Sequence, residues 1–217
     1  MTCYKHILDQ LEKYMFTDEI QSVRVKHIAP TKIKDEIFYP RENDSLFWCF
    51  YLIKYGDIQY ELSSKNLIEE KKIKIAYIEK MRENKLLLKK YKFATLAHIE
   101  NQLANEMKID LSTFFSLCAL ENINAVYVHK KSYYELVCEG DLHIIHYSDM
   151  RYGIETSVNE IYKSFFKMES LDKPIKSVTF YKIAELQEFC VRLGIETVHE
   201  TKKKNKKELY ESIVQFF

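Results

Sequence analysis

The sequence predicts an α+β protein with a small helical tail, on three observations. An almost entirely apolar run at residues 45–56 follows the loop signals around Pro40 and ends at a glycine, as a buried helix would. Three short β-rich runs lie between residues 123 and 147. Two amphipathic helical patterns follow residue 179. A chain of 217 residues can hold one large core and a small appendage.

The composition excludes several classes of function. The 33 basic and 32 acidic residues nearly cancel, so any attraction to nucleic acid or to a membrane must be local. Five single cysteines without paired spacing suit a reducing compartment and argue against a disulfide framework or a zinc site. Four scattered glycines cannot build a phosphate-cradling loop, and no apolar run is long enough to span a membrane. We therefore expect an intracellular protein without metal, cofactor or membrane span.

The first half of the chain is predicted to be mainly helical. Residues 4–16 and 95–107 carry apolar positions at helical spacing, whereas residues 22–28 alternate as a strand does. Residues 66–88 form a long amphipathic pattern with one break, and residues 111–120 predict a further helix. The central run is apolar on all sides, which indicates a helix buried by several neighbours.

The second half changes to strands and then to the tail. Residues 123–128, 133–138 and 142–147 predict a meander of three antiparallel strands. Residues 157–168 are assigned to one more helix, and the following segment contains Pro174 and is typical of a linker. The predicted organisation is a body at residues 1–168, a linker at 169–178 and a tail at 179–217.

A lysine-rich turn separates the two helices of the tail, the first of which ends at Gly194. Lysines at the start of a helix place ammonium groups beside free backbone N–H groups, where both can contact phosphate oxygens. An isolated lysine run can also be a solvated turn or a nuclear-import signal, but its position between two amphipathic helices favours DNA binding. The candidate nucleic-acid-binding residues are Lys202, Lys203, Lys204, Lys206 and Lys207.

The tail resembles the SAP motif, in which two roughly parallel helices flank an extended turn. The matching residues run from 185 to 195 and from 206 to 213. The resemblance implies binding to double-stranded DNA. In that family a glycine usually precedes the lysine, and residues 201–205 stand in its place here, so we expect a different turn shape.

The body resembles the ovarian-tumour (OTU) class of deubiquitinases, which are papain-like cysteine proteases. Residues 42–47, Glu-Asn-Asp-Ser-Leu-Phe, stand in register with that family's Asp-Gly-Asn-Cys-Leu-Phe at the start of the central helix. Residues 78–82, 111–120 and 123–128 follow in the family's order of helix, helix and strand, and residues 146–147 match its His-Tyr. The resemblance implies a papain-like fold with a serine at the nucleophile position and a histidine as general base.

The nucleophile position departs from the family, because serine replaces cysteine. A thiolate forms readily, whereas a hydroxyl needs a well-aligned base to become nucleophilic. We therefore expect a non-catalytic body in which Ser45 or Asp44 is the N-cap of a core helix. Cys49, one turn further on, is expected to pack in the core. The candidate catalytic residues, if chemistry remains, are Ser45, His146, Glu42, Asp44 and Cys49.

The position of the histidine that would act as general base distinguishes an enzyme from a binding module. His143 and His146 lie on opposite faces of one predicted strand, so at most one of them faces the groove beside the serine. A serine hydroxyl within hydrogen-bond reach of His146 would indicate an enzyme. A groove filled by Trp48, Tyr147 or Tyr152 would indicate a binding module.

Body and tail together resemble proteins of large double-stranded DNA viruses that join an OTU-like domain to a SAP-like tail. The leading hypothesis is a DNA-binding protein whose non-catalytic body holds a protein partner, ubiquitin-like or viral. It would act in genome replication, transcription or packaging. The alternatives are an active OTU-like peptidase or deubiquitinase, and a structural virion protein that contacts the genome. The expected locations are the viral factories of the host cytoplasm, the nucleus or the virion.

Overall fold

A mixed six-stranded sheet and a set of helices form the body of the protein, and the helical tail packs beside them. The computed structural model describes residues 37–156, 160–199 and 202–217, except the side chains of residues 199 and 202. The predicted helix at 4–16 and strand at 22–28 lie outside the described residues. Within the part described, the protein is α+β, as the sequence predicts.

Four of the five body helices that the structure describes begin at residues whose side chains cap them, and the exception is the short helix that starts at Lys85. Asn66, Thr95 and Asp110 each accept a hydrogen bond from the N–H three residues on, which is the bond that starts a helix. A break at Asn84 divides the predicted 66–88 pattern in two, as expected. The helices are α1 (Ser45–Leu62), α2 (Leu67–Glu83), α3 (Lys85–Tyr91), α4 (Leu96–Ala104) and α5 (Leu111–Leu120).

Helix α1 forms the centre of the core and bends at Gly56. The side chains of Phe47, Trp48 and Phe50 are fully buried. Gly56 has φ +81° and ψ 169°, a conformation that glycine adopts without a Cβ penalty, and the helix resumes beyond it to Leu62. The glycine therefore bends the helix and does not end it as predicted, because the chain is helical for six more residues, of which Tyr60 is buried.

The strands run in the order β1-β5-β4-β2-β3-β6 across the sheet. The helix predicted for residues 157–168 is wrong, because its described part is a short 3₁₀ helix, Glu160–Ser164, followed by an edge strand. The strands are β1 (Ile37–Phe38), β2 (Asn124–His129), β3 (Ser132–Leu136), β4 (Leu142–Ser148), β5 (Arg151–Glu155) and β6 (Phe166–Lys167).

The antiparallel meander predicted for residues 123–147 is wrong in one pairing. Strand β2 pairs antiparallel with β3 but parallel with β4, so that Ala125 lies opposite His143. All four residues from 125 to 128 are buried, and such a strand needs neighbours on both edges and cover on both faces. A meander would have left β2 at the edge of its three strands, whereas the observed order puts it between β4 and β3.

The tail has the predicted helix, extended turn and helix. It consists of a 3₁₀ helix (Val178–Phe180), α6 (Ile183–Leu193), an antiparallel pair of short strands, β7 (Val198–His199) and β8 (Lys202–Lys203), and α7 (Lys206–Val214). Its buried residues Leu186, Cys190 and Leu209 belong to the same core cluster as α1. Phe166 of β6 also contacts Phe189, with ring centroids 5.0 Å apart.

Residues 169–178, predicted as a linker, form a closed turn between body and tail. The N–H of Glu169 donates to the carbonyl oxygen of Pro174 at 3.0 Å, and Lys176 forms an ion pair with Glu169 at 3.2 Å. Ile175 is buried in the core that body and tail share. Residues 35–217 form one compact unit, and their division into two domains stays a prediction.

Candidate functional site

The first turn of α1 holds the residues that match the nucleophile region. Asp44 is the N-cap, and its Oδ1 accepts the N–H of Phe47 at 3.2 Å. Ser45 begins the helix and is buried. The hydroxyl oxygen of Ser45 accepts the N–H of Tyr152 at 2.9 Å, which ties α1 to strand β5. The serine thus has a structural partner on the sheet.

His146 lies on the other face of the sheet. On β4, Ile145 packs in the main core with α1, whereas Ile144 belongs to a second, smaller cluster. Because side chains alternate along a strand, His146 shares the face of Ile144. Its Nε2 lies 2.8 Å from Glu155 Oε2, at a cavity of about 210 Å³. The structure therefore does not bring His146 to Ser45.

Aromatic side chains occupy the face of the sheet that α1 covers. The rings of Tyr147 and Tyr152 lie 4.7 Å apart, and Tyr127 lies 6.2 Å from Tyr152. His129 lies 5.5 Å from Tyr147 on the same face. Among the described residues, no histidine forms a hydrogen bond with the Ser45 hydroxyl. Tyr147 and Tyr152, which the sequence analysis named as groove-filling side chains, therefore contact each other on the sheet face that packs in the main core.

Two other candidate catalytic residues also have structural partners. Glu42 Oε2 accepts the hydroxyl of Tyr60 at 2.8 Å. Cys49 is fully buried in α1, and this burial raises the pKa of its thiol well above the usual value. A thiol that stays neutral in a core is a poor nucleophile. The burial of Cys49 agrees with the packing role that we expect for it from the sequence.

A buried ionic network anchors the start of α1. Asp44 Oδ2 lies 2.6 Å from Lys74 Nζ and also accepts the N–H of Ile109 at 3.0 Å. The same ammonium lies 2.7 Å from Glu70, whose other oxygen accepts the indole N–H of Trp48 at 2.9 Å. Burial raises the pKa of Asp44, while Lys74 and the backbone N–H groups oppose the rise. Asp44 therefore joins α1, α2 and the loop before α5.

Sequence reasoning missed Lys74, although a signal was present. Residues 70, 74, 77, 78 and 81 of α2 recur at helical spacing, and all five are buried. A lysine in such a stripe is expected to need an acidic partner, because an isolated buried charge is costly. The acid one turn earlier, Glu70, was therefore a visible clue.

The tail presents its lysines around the start of α7. Asn205 is the N-cap and accepts the N–H groups of Lys207 and Glu208, both at 3.0 Å. Lys203 and Lys207 are exposed, and Lys206 is half-buried. Lys204 donates to the hydroxyl of Ser212 at 3.1 Å. The side chain of Lys202 lies outside the described residues.

Few carboxylates neutralise these ammonium groups. Lys207 lies 3.7 Å from Glu211 in an exposed pair one helical turn apart, which contributes little. Within the described part of the chain, Lys203, Lys204 and Lys206 have no carboxylate within 4 Å. Most of the positive charge at this end of α7 is therefore available to a ligand.

Two body lysines contact the opposite ends of the tail helices. Lys130 Nζ donates to the carbonyl oxygen of Phe216, just beyond α7, at 3.0 Å. Lys131 Nζ lies 2.7 Å from the position that a Cβ on Gly194 would occupy, at the end of α6. Both contacts put a cation at a helix C-terminus, where the dipole favours positive charge. The sequence analysis did not single out either lysine, because their partners lie far along the chain.

These contacts orient the lysine-rich turn. Both tail helices direct their C-terminal ends toward the turn between β2 and β3. Helix α7 has nine residues, so about 13 Å separate its two ends. The lysines at the start of α7 therefore lie at the opposite end of that helix from the contact with Lys130.

Comparison with known proteins adds no family to this picture. No family model matches the sequence, and no curated protein or solved structure shows significant similarity. Among the described residues, no group of three or more His, Cys, Asp or Glu side chains could hold a metal ion. None of the helices in the described ranges has both the length and the apolar character needed to cross a bilayer.

Proposed function

We propose that this chain is a non-enzymatic DNA-binding protein whose tail contacts the phosphate backbone and whose body holds a protein partner. The observation that carries the proposal is the cluster of Lys203, Lys204, Lys206 and Lys207 at the start of α7, among which the described residues show one weak carboxylate contact. Backbone contacts from lysines give affinity without reading the base sequence. The residues around Asn205 would add the positive end of the helix dipole.

The strength of such binding depends on salt. Each phosphate that a lysine neutralises on duplex DNA contributes about −0.9 to the slope of log K against log salt concentration. Four lysines therefore predict a slope of about −3 to −4 and a dissociation constant in the micromolar range or weaker at physiological salt. A protein of this kind would bind many DNA sequences alike.

The body is proposed to be a papain-like scaffold that has lost its chemistry. The papain-like part of this proposal rests on the resemblance of residues 42–47 and 146–147. The loss of chemistry is supported by Ser45, whose hydroxyl accepts the backbone N–H of Tyr152, and by His146, which pairs with Glu155 on the opposite face. An active OTU-like peptidase would need a base beside Ser45. No observation in the described residues favours that alternative.

Exposed apolar side chains support a protein partner for the body. At the end of α1 and the start of α2, four large aliphatic residues are each at least 65% exposed. Apolar surface gathered in one region marks interaction sites more often than scattered apolar residues do. The four residues are Ile58, Leu62, Leu67 and Ile68.

The biological process and location that we propose follow from the resemblance of the body to OTU-like domains and of the tail to the SAP motif. A protein of a large DNA virus with this arrangement would act on the genome in replication, transcription or packaging, in the host cytoplasm or nucleus. A structural virion protein would use the same tail on packaged DNA.

The DNA-binding proposal is tested with the full chain and a labelled 20-base-pair duplex. Replacing Lys203, Lys206 and Lys207 by Ala should weaken binding at low salt by roughly tenfold or more and reduce the magnitude of the salt slope by about 2 to 3. The matched control replaces Lys72, Lys108 and Lys163, which are exposed on the body, and should change affinity much less. Equal losses in both triple variants would contradict the proposal.

The peptidase alternative is tested separately with a ubiquitin-derived fluorogenic substrate. We expect no turnover above background. Turnover that disappears in Ser45→Ala but persists in Cys49→Ala would establish Ser45 as the nucleophile and contradict a non-catalytic body.

A further inference from the structure

An open cavity of about 700 Å³ lies between α3 and the start of α4, away from the α1 turn and from the tail lysines. Its walls include the aliphatic side chains of Leu88, Ala94 and Leu96. The volume lies within the range of small-molecule sites, which is about 300 to 1,000 Å³. The cavity can therefore receive an apolar group of moderate size.

Three lysines surround this apolar cavity. Lys85, Lys89 and Lys92 line it together with Thr95, the N-cap of α4. Lys85 and Lys89 are one helical turn apart on α3, where like charges repel. The N-terminus of α4 adds the positive end of its dipole. All of the charge at the rim therefore has the same sign.

These three lysines form no ion pair in the described part of the chain, although Lys85 acts electrostatically on Glu100. None of them has a carboxylate within 4 Å in the part of the chain that the structure describes. The acid on the first turns of α4, Glu100, is bound by Arg82 through two hydrogen bonds of 2.7 and 3.1 Å. The cavity thus combines apolar walls with a cationic rim whose lysines form no ion pair among the described residues.

The chemistry of the walls narrows the class of ligand. Tyr91 and Phe93 lie nearby but stack on each other, with ring centroids 5.6 Å apart, and do not line the cavity. A nucleotide base would therefore find no aromatic platform there. The one hydroxyl at the rim, on Thr95, already accepts the N–H of His98 at 3.2 Å. An aliphatic chain fits these walls better than a sugar or a base does.

We infer that this cavity binds a single-chain aliphatic anion, with its chain against Leu88, Ala94 and Leu96 and its headgroup among Lys85, Lys89 and Lys92. A carboxylate headgroup corresponds to a fatty acid, and a phosphate headgroup corresponds to a lysophospholipid. Both have the same requirement for an apolar chain and a negative end. The ligand would occupy a site separate from the lysines of the tail.

The test is calorimetric titration of the full chain with dodecanoate and with dodecyl phosphate, both below their micelle concentrations. We expect saturable binding of one molecule per chain by at least one of them, and the tighter of the two identifies the headgroup. Removing two methylenes, from dodecanoate to decanoate, should weaken binding roughly tenfold, because each buried methylene contributes about 0.8 kcal/mol. Dodecyltrimethylammonium, with the same chain and a positive headgroup, should not bind.

Variants locate the site. Lys89→Ala combined with Lys92→Ala should weaken binding of the anion at least tenfold, and Ala94→Phe should block the cavity. Lys90→Ala is the matched control, because Lys90 lies on the same helix over the ring of Tyr91 and does not line the cavity. Binding that is absent for both anions, equal in the double variant and the control, or as tight for the cation would overturn the inference. Thermal unfolding of each variant confirms that it is folded.

Discussion

Lys74 Nζ lies 2.6 Å from Asp44 Oδ2, and both side chains are excluded from solvent. Glu70 is the second carboxylate of the same ammonium, at 2.7 Å. Asp44 caps α1, whereas Lys74 and Glu70 belong to α2, so the network joins the start of one helix to the middle of the other. Removing the ammonium would leave two carboxylates buried without their counter-ion.

We therefore expect Lys74→Met to lower the free energy of unfolding by about 3 to 5 kcal/mol. Urea denaturation followed by circular dichroism measures the change. Lys72→Met is the matched control, since Lys72 is on the same helix with its side chain 72% exposed, and it should change stability by less than about 0.5 kcal/mol. A loss in Lys74→Met as small as that of the control would show that the network contributes little.

The hydroxyl of Ser45 is expected to matter for stability alone. Ser45→Ala leaves the N–H of Tyr152 without its acceptor and should cost about 1 to 2 kcal/mol. Affinity for duplex DNA should stay unchanged. Ser164→Ala, which removes an exposed hydroxyl bonded to a neighbouring carbonyl, should have a smaller effect on unfolding. A Ser45→Ala protein as stable as the wild type would mean that the Tyr152 bond is not formed in solution.

The lysines between β2 and β3 are expected to hold the tail against the body. Replacing Lys130 and Lys131 by Ala removes a cation from the end of each tail helix and should cost about 1 kcal/mol. Amide hydrogen exchange should become faster in α6 and α7 but not in α1. The control Lys163→Ala removes an exposed lysine of the 3₁₀ helix and should leave tail exchange unchanged. Unaltered exchange in the double variant would exclude a docking role for the two lysines.

Glu121 should make stability depend on pH in the acid range. Burial acts to raise the pKa of its carboxyl, but hydrogen bonds from Lys54, at 2.5 Å, and from Lys80 lower it overall. A carboxyl with a pKa below its unfolded value stabilises the fold above that value, near 4.3, and loses this contribution as the pH falls through the folded pKa.

Glu121→Gln should therefore be less stable than the wild type at pH 7 by about 1 kcal/mol, and the difference should shrink below pH 4. Urea unfolding from pH 7 to pH 3 measures both proteins. Because other carboxyls titrate in both, the difference between the two curves isolates Glu121. A constant difference across this range would contradict the predicted shift.

The sequence predicts the local features of this fold well. The apolar run at 45–56 became the core of α1, and the break at Asn84 divided α2 from α3. In the tail, Gly194 ends α6 in a left-handed conformation, as its position after the last apolar residue indicates. Each of these features depends on neighbouring residues and on periodicity, which a single sequence contains.

The long-range partners of the candidate site residues and of strand β2 could not be predicted from local sequence patterns. The sequence order placed Ser45 and His146 in the register of a catalytic pair, but strand alternation put the histidine on the opposite face, beside Glu155. The parallel pairing of β2 with β4, together with its antiparallel pairing with β3, gives this buried strand a neighbour on each edge. The pairing of distant strands, and the face on which each side chain lies, depend on how the whole sheet is buried and not on any local pattern.

The sequence by itself determined the helices of residues 45–120 and of the tail, where the positive charge of the tail is concentrated, and that a serine begins the central helix. Only the tertiary structure decided that this serine bonds to the backbone of Tyr152, that Lys74 is buried between two acids, and that Lys130 and Lys131 contact the ends of the tail helices. The physical reason is that backbone propensity and periodicity act over one or two turns. Contacts between distant side chains are instead selected by the burial and charge balance of the whole fold.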